Sequence, residues 1–201
     1  MKEIKTVLPK ALAFFLILAI VCGVLFPLAV TGFAQLFFKD KADGSIIEVN
    51  GTQYGSVLLG QEFTGDGYMW GRIMNIDTKS FTDENGNPQL YSVATNLSPA
   101  SDEYKALVAA RVAKIRAANP DKADEPIPVD LVTCSGSGLD PHISPAAAAY
   151  QIERIAKTRG IPTTQVEEIV VKYTEGRLFG VFGEKTVNVL KVNLALDGIL
   201  Q

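Results

Sequence analysis

The feature that most constrains this chain is a long uncharged stretch near its amino terminus. From Ala11 to Phe38, twenty-eight consecutive residues contain no Asp, Glu, Lys, Arg or His, and Lys10 and Lys39 flank the stretch. A hydrocarbon core about 30 Å thick needs about 20 mainly apolar helical residues to cross it. The sequence therefore predicts a single transmembrane helix over residues 11–38, which separates a tail of residues 1–10 from a domain of residues 39–201.

The charges of the tail predict the orientation of this helix. Lys2, Lys5 and Lys10 outnumber the single Glu3, and short basic flanks tend to stay on the cytoplasmic side. We therefore expect a single-pass protein of the cell membrane, with a cytoplasmic amino terminus and an extracytoplasmic domain. The alternative is a cleaved secretory signal ending near residues 32–34, although its apolar region would exceed the usual length of roughly 7–15 residues. Both alternatives export residues 39–201.

One face of the predicted span carries its smaller residues, which are Gly23, Pro27, Val30 and Ala34. Small residues let helices approach each other closely in lipid, so this face predicts contact with the helix of a partner. The alternative is a helix surrounded only by lipid. Pro27 removes one helical hydrogen bond and therefore favours a kink.

Charge and cysteine content limit the partners and the covalent structure. The net charge of −3 combines +2 from residues 1–38 with −5 from residues 39–201. An acidic domain argues against nucleic acid or anionic lipid as a partner. Cys22 lies in the predicted span and Cys134 outside it, so no intramolecular disulfide is expected. Cys134 is interpreted as a small buried residue, with a reactive or intermolecular thiol as the alternative.

Turn signals and hydrophobic periodicity predict that the exported part is one α+β domain. A hairpin is expected around Asn50-Gly51 and Gly55-Ser56, with residues 57–59 as β-formers, followed by a long loop over residues 64–99. Helices are expected over residues 101–118 and 144–160, and a third from a capping box of Thr164 and Glu167. A strand is expected at residues 129–132, and a closing strand or short helix after residue 183.

The loop from Ser135 to His142 invites an enzymatic interpretation because it combines hydroxyls, a carboxylate and the only histidine of the chain. A freestanding exported hydrolase or sensor could use a serine of this loop with His142 as its base. The glycines do not form the G-x-S-x-G pattern, and no Walker A lysine follows them. The structural alternative is a glycine-containing turn whose serines bind backbone groups.

Metal binding is not expected from the sequence. The chain has one histidine and one exported cysteine, and the run from Asp83 to Asn87 places its glycine wrongly for an EF-hand loop.

Collinear motifs along nearly the whole chain make it resemble the C subunit of the bacterial potassium-importing Kdp P-type ATPase, the KdpC family. The motifs include Thr31-Gly32-x-Ala34-Gln35, Gly55-Ser56-x-Leu58-Leu59-Gly60-Gln61-x-Phe63, Asp130-Leu131-Val132-Thr133-x-Ser135-x-Ser137-Gly138-Leu139-Asp140, Gln151-Ile152-x-Arg154-Ile155-Ala156-x-x-Arg159-Gly160 and Val187-Asn188-Val189-Leu190-x-Val192-Asn193-Leu194. The chain departs from the family pattern at Ile73-Met74-Asn75 and at Cys134. The exchange at Cys134 favours a packing role for the cysteine.

The resemblance implies a non-catalytic accessory subunit that serves assembly and coupling. Its implied partners are a channel-like subunit that conducts K⁺, a P-type ATPase subunit that hydrolyses ATP, and a small hydrophobic subunit. The family is described as raising the ATP affinity of the pump. No cofactor is expected to bind this chain directly, because K⁺ and ATP would be handled by the partner subunits. A domain outside the cytoplasm would influence ATP binding through those partners.

Four polar residues are candidates for contact with partner subunits. Arg154 and Arg159 can pair with carboxylates, and Asn188 and Asn193 are amides of the closing segment. The alternative for all four is bonding inside the domain. Acidic side chains of the domain could raise the local K⁺ concentration, but screening over about 8 Å limits this effect, so scaffolding is expected to dominate.

Overall fold

The computed structural model describes residues 2–77 and 79–201, except for the side chains of residues 2 and 3. The chain divides into two compact units, one ending at Ile46 and the other comprising Ile47–Gln201.

The amino-terminal unit is mainly a long apolar helix. Helix α1 (Lys2–Ile20) passes through a π-helical turn (Val21–Leu25) into α2 (Phe26–Phe37), and a short α3 (Lys39–Ala42) follows. Residues Ile4–Phe37 form 34 residues of helix, long and apolar enough to cross a membrane. At 1.5 Å per residue the helix is about 50 Å long, so it exceeds the thickness of a hydrocarbon core of about 30 Å. The predicted tail is therefore helical from residue 2 onwards.

The π-helical turn lies immediately before Pro27. The backbone N–H of Phe26 bonds to the carbonyl of Val21, five residues earlier. A proline has no N–H and its ring crowds the carbonyl four residues before it, and a wider turn relieves this crowding. The helix thus continues through the proline.

The second unit begins with the predicted hairpin. Strands β1 (Ile46–Val49) and β2 (Thr52–Ser56) pair, and Asn50 and Gly51 join them with φ angles of 53° and 78°. Positive φ at both central residues is the geometry of a type I′ turn. A long irregular loop follows, as expected, and contains the short antiparallel pair β3 (Ile76–Asp77) and β4 (Tyr91–Ser92) together with isolated bridges.

Helices and one small sheet form the body of this unit. The helices are α4 (Asp102–Ala118), α5 (Pro145–Arg159), α6 (Thr163–Lys172) and α7 (Val189–Leu196). The antiparallel sheet has the order β5 (His142–Ile143), β7 (Thr186–Asn188), β6 (Thr174–Glu175). The α+β class is confirmed, and the closing segment contains both a strand and a helix. The core is built chiefly from Met69, Trp70, Ile115, Leu131, Ile143, Tyr150, Ile155, Val166, Val170, Val187 and Val192.

Local capping signals were correct for two helices. The Ser101 hydroxyl accepts a hydrogen bond from the N–H of Tyr104 at the start of α4. Ser144 does the same for Ala147 at the start of α5, and Gly160 ends α5 in the left-handed conformation. These contacts lie within a few residues of each other, so the sequence alone specifies them.

Three local predictions were wrong. Residues Val129–Leu131 form a 3₁₀ turn rather than a strand, because Pro128 begins a turn whose Asp130 side chain is held by a later segment. Helix α6 starts at Thr163 without a side-chain cap, so Thr164 and Glu167 form no capping box. Residues 57–59 form a turn after β2, because the Ser56 hydroxyl accepts the N–H of Leu58.

Candidate functional site

One irregular segment of the second unit, residues 66–71, which we call the threaded segment, begins in a turn closed by the Tyr68 N–H and the Gly65 carbonyl. Each of its six consecutive carbonyl groups accepts a hydrogen bond from a side chain on α4, α5 or α7. The donors are Arg154 for Asp66 and Tyr68, Arg159 for Gly67, Asn193 for Met69, Gln151 for Trp70, and Arg111 for Gly71. Side chains of three helices therefore satisfy the carbonyl groups of a segment that belongs to no strand of the described structure.

Two buried amides bind both backbone groups of one residue each. Gln151 accepts from the N–H of Trp70 at 2.9 Å and donates to its carbonyl at 3.0 Å. Asn193 does the same for Met69, at 2.7 and 2.9 Å. Gln151 is 2% exposed and Asn193 1% exposed. Because no water reaches these groups, each bond lost would leave a buried polar atom unpaired.

Three cations surround the indole ring of Trp70. The guanidinium carbon of Arg154 lies 4.3 Å from the ring centroid, Lys114 Nζ 4.9 Å and the guanidinium carbon of Arg111 5.7 Å. Burial lowers the pKa of Arg154 to about 10, with Asp66 opposing the shift and Arg111 adding to it. Burial also lowers the pKa of Arg111. Arg154 therefore remains charged at neutral pH and interacts favourably with the face of the ring.

The four polar residues proposed as partner contacts all bond inside the domain. Arg154 and Asn193 bind the threaded segment as described. Arg159 also donates to the carbonyl of Leu196 at 2.7 Å and to Asp197 Oδ1 at 2.8 Å. These bonds match the alternative that the sequence left open. Contact with a partner subunit stays a prediction for these residues.

Asn188 joins three separate parts of the domain. Its Oδ1 accepts the N–H of Lys191 and caps α7. Its Nδ2 donates to the carbonyl of Val57 at 2.9 Å and lies 3.3 Å from His142 Nε2. His142 faces Asn188 because the two residues are paired in the β5–β7 register. With an amide N–H directed at Nε2, the proton of a neutral His142 ring belongs on Nδ1, which lies 3.7 Å from Asp140 Oδ1.

The first half of the loop over residues 130–142 holds the start of α5 in place. Asp130 Oδ2 accepts the N–H of Ser144 at 2.6 Å, and its Oδ1 accepts the Ser144 hydroxyl at 3.2 Å. Thr133 Oγ1 donates to the carbonyl of Val129 at 2.9 Å. Asp130 therefore orients Ser144, the residue that caps α5. These hydrogen bonds explain why a carboxylate can be buried to 9% exposure.

The second half of the loop is a tight turn closed by its own hydroxyls. Ser135 Oγ accepts the N–H of Gly138 at 3.0 Å, and Ser137 Oγ accepts that of Leu139 at 3.2 Å. Asp140 Oδ1 accepts the N–H of His142 at 2.9 Å. In the described part of the chain no hydrogen bond joins either serine to His142. The nucleophile–base pair that a serine hydrolase requires is therefore not formed by these residues.

Gly138 is the point where this loop meets the long loop. It has φ of +74°, and a Cβ placed there would lie 2.5 Å from the carbonyl oxygen of Val93 and 2.9 Å from that of Asn75. The backbone N–H of Asn75 also bonds to the carbonyl of Gly138 at 3.0 Å. Only glycine fits both the conformation and the space.

Arg72 makes a second connection between the two loops. Its Nη2 donates to the carbonyl of Cys134 at 3.0 Å, and its Nη1 lies 3.6 Å from Asp140 Oδ2. Ile73 forms a bridge with Cys134 in parallel orientation. Cys134 is a free, partly buried thiol, so the prediction of a small buried residue holds only in part.

The small residues of the span lie in the amino-terminal unit. Gly23 belongs to the π-helical turn, and Pro27, Val30 and Ala34 follow on α2 at intervals of three and four residues, so these three share one face. In the described structure of this unit, nothing approaches within 4 Å of a Cβ placed at Gly23.

Metal ligands are not gathered in the described residues. No group of three or more His, Cys, Asp or Glu side chains is close enough to hold an ion there. Both carboxylate oxygens of Asp83 accept hydrogen bonds from Asn87, and Oδ1 also accepts the N–H of Asn85. That run of the sequence therefore forms an Asx-type turn.

The sequence analysis missed Gln151, Arg111 and Trp70 as structural determinants. One signal pointed to the first of them. Gln151 and Arg154 are three residues apart on a helix, so they share a face, and Gln151 lies between the apolar Tyr150 and Ile152. Both side chains donate to carbonyl groups of the threaded segment, which lies eighty-one or more residues earlier in the chain. The residues around that segment contain no pattern that predicts these bonds.

Comparison with known proteins identifies the family. A family model described as KdpC, the c chain of the K⁺-transporting ATPase, matches residues 8–198. A potassium-transporting ATPase KdpC subunit of Clostridium botulinum is 61% identical over 201 residues and covers 100% of both chains. One of Clostridium perfringens is 60% identical over 195 residues, which is 97% of this chain and 98% of the relative. One of Listeria monocytogenes is 47% identical over 202 residues and covers 98% of each. The chain therefore belongs to the KdpC family of K⁺-transporting ATPase subunits.

Proposed function

We propose that this chain is a non-catalytic subunit that helps to assemble and couple a K⁺-importing Kdp complex. The observation that carries the proposal is the extent of the family match. Residues 8–198 include both the apolar helix and nearly all of the domain. We therefore assign assembly and coupling to the apolar helix and the domain together.

The chemistry of the domain supports a structural role. The hydroxyls of Ser135 and Ser137 bind backbone N–H groups of their own turn, and Asp130 holds the cap of α5. These groups are occupied by the fold itself. We therefore assign ATP hydrolysis and K⁺ conduction to the partner subunits. In this proposal the chain binds neither ATP nor K⁺ as a cofactor.

The proposed topology places α1 and α2 across the cell membrane and the domain outside the cytoplasm. Basic residues precede the apolar stretch, and such flanks favour the cytoplasmic side. A domain on the outer side has no access to cytoplasmic ATP. Any effect on ATP affinity is then a coupling free energy transmitted through the partners.

The proposed partners are a channel-like K⁺-translocating subunit, a P-type ATPase subunit and a small hydrophobic subunit. In this proposal the face of Gly23, Pro27, Val30 and Ala34 packs against a helix of the channel-like subunit, since small side chains permit close packing in lipid. Lipid covers the rest of the span.

Co-purification tests the assembly role. A tagged full chain would be expressed with the three partner subunits, solubilised in mild detergent and purified through its tag. All three subunits should elute with it, and a Gly23→Leu, Ala34→Leu variant should lose them while the domain stays folded. Recovery of the wild-type chain alone would contradict the proposal.

Cysteine labelling tests the topology. Glu84→Cys in a Cys134→Ser background places a thiol on an exposed loop, and Lys5→Cys places one before the apolar stretch. A membrane-impermeant maleimide added to intact spheroplasts should label position 84 but not position 5. The reverse pattern would show a cytoplasmic domain.

Substitution of Arg159 by Ala separates the two roles considered for that residue. If Arg159 only holds Gly67 and Leu196, the variant should be less stable and should still co-purify with the partners when folded. A folded variant that loses the partners would instead support direct contact.

A further inference from the structure

A surface of the domain without an assigned role is the short turn of residues 177–184, which we call the apolar finger. It presents four large apolar side chains to solvent, namely Leu178 at 63% exposure, Phe179 at 85%, Val181 at 70% and Phe182 at 66%. Contiguous apolar side chains that remain this exposed commonly mark a binding surface. The proposed role in assembly and coupling assigns no function to the apolar finger.

The finger is held in a definite conformation. The N–H of Leu178 bonds to the carbonyl of Phe182 at 2.8 Å, and the reverse bond is 3.0 Å. Arg177 and Glu184 form an ion pair of 2.7 Å across its base. Phe179 adopts a φ of +53°, a conformation that is uncommon for a bulky residue and is often found at functional sites. The apolar side chains are therefore presented by an ordered turn.

The charges around the finger differ in sign from those of the whole domain. Between residues 172 and 191 there are four cations, Lys172, Arg177, Lys185 and Lys191, and two carboxylates, Glu175 and Glu184. This part carries +2, whereas residues 39–201 together carry −5. An apolar tip flanked by basic residues fits a surface with an apolar interior and anionic headgroups.

We propose that the apolar finger inserts into the interface of a lipid bilayer that contains anionic lipids. The side chains of Leu178, Phe179, Val181 and Phe182 enter the boundary between headgroups and acyl chains. Arg177 and Lys191 are paired with Glu184 and Glu175, so Lys172 and Lys185, which form no ion pair with a carboxylate in the described residues, lie among the headgroups. The proposal rests on the membrane anchor proposed above, because a tethered domain meets lipid at high effective concentration.

Tryptophan fluorescence of the full chain tests this contact. Phe179→Trp adds a reporter at the tip, and the only natural tryptophan, Trp70, is 3% exposed and supplies a constant background. Leu90→Trp is the matched control, since Leu90 is another apolar residue at 75% exposure. Each variant would be reconstituted into vesicles of phosphatidylcholine and phosphatidylglycerol, with or without bromine on the acyl chains near the headgroups.

The expected result is a blue shift and a loss of emission for the residue-179 reporter in brominated vesicles, with little change for the residue-90 reporter. The loss at residue 179 should weaken when phosphatidylglycerol is omitted. Equal quenching at both positions, or none at residue 179, would overturn the proposal. A blue shift at residue 179 that appears only with the partner subunits, or only as the concentration of the chain rises, would also overturn the proposal. Either result would show that a protein surface covers the finger.

Two further measurements keep the test decisive. Flotation of the wild-type chain with vesicles reports on the anchor, so loss of flotation would contradict the anchor, whereas flotation without quenching would contradict only the finger. Val181→Trp provides a second reporter if Phe179→Trp does not fold.

Discussion

Gln151 holds Trp70 by two hydrogen bonds, accepting from its backbone N–H at 2.9 Å and donating to its carbonyl at 3.0 Å. An edge strand would offer the same pair of groups. Asn193 repeats this arrangement at Met69. Helices α5 and α7 therefore fix the middle of a long irregular loop, and this loop carries Trp70 into the core.

Replacing Gln151 with Leu should strongly destabilise the domain. The variant keeps a side chain of similar size but leaves two buried backbone groups of Trp70 without partners, and each costs about 1–3 kcal/mol. We expect a loss of roughly 2–5 kcal/mol in the free energy of unfolding, measured by denaturant titration of the detergent-solubilised chain. Gln165→Leu on the exposed side of α6 is the control and should change it by less than about 0.5 kcal/mol. Equal effects of the two variants would show that the amide bonds contribute little.

Gly138→Ala should be far more harmful than Gly136→Ala. A methyl group at residue 138 would lie 2.5 Å from a backbone oxygen and would require a φ of +74°, whereas one at residue 136 has nothing within 4 Å. We expect roughly 2–4 kcal/mol of destabilisation for the first and less than about 0.5 kcal/mol for the second. Thermal unfolding followed by circular dichroism would show this difference. Similar melting temperatures would mean that the two loops can separate at residue 138 without cost.

The pKa of Asp83 should lie below its ordinary value of 3.8, chiefly because the Asn87 side chain donates a hydrogen bond to its carboxylate. A carboxyl group with a depressed pKa in the folded state stabilises its turn above the unfolded pKa and loses this effect as the pH falls through the folded pKa. Asn87→Ala should move the pKa upward, towards 3.8. NMR titration of the Asp83 carboxyl carbon in the wild-type chain and in the variant would measure it. An unchanged pKa in the variant would exclude Asn87 as the main cause.

Neutralising three acidic residues should leave K⁺ uptake nearly unchanged. Asp102 is 3.1 Å from Lys105, and Asp121 is 3.3 Å from Lys157, so neighbouring cations already offset two of the charges. Screening over about 8 Å weakens what remains. The triple variant Asp102→Asn, Asp121→Asn, Asp124→Asn should shift the apparent K⁺ affinity of the intact complex by less than about twofold. A tenfold loss of affinity with normal assembly would instead favour electrostatic concentration of K⁺ by this domain.

The sequence alone was sufficient where the physical cause lies within a few residues. The uncharged stretch from Ala11 to Phe38, the turn at Asn50-Gly51 and the caps at Ser101 and Ser144 depend on neighbours along the chain. Backbone geometry and desolvation act locally at these points, and the structure contains each of the corresponding elements.

Only the tertiary structure decided how the polar residues are used. Contact of Arg154 and Asn193 with a partner subunit stays a prediction, and inside the domain their hydrogen bonds reach carbonyl groups 86 and 124 residues away along the chain. The 3₁₀ turn at Val129–Leu131 likewise depends on Ser144, which lies fourteen residues beyond Asp130. A buried carbonyl must find a donor wherever folding brings one. Sequence spacing does not specify which donor that will be, so these hydrogen bonds follow only from packing in three dimensions.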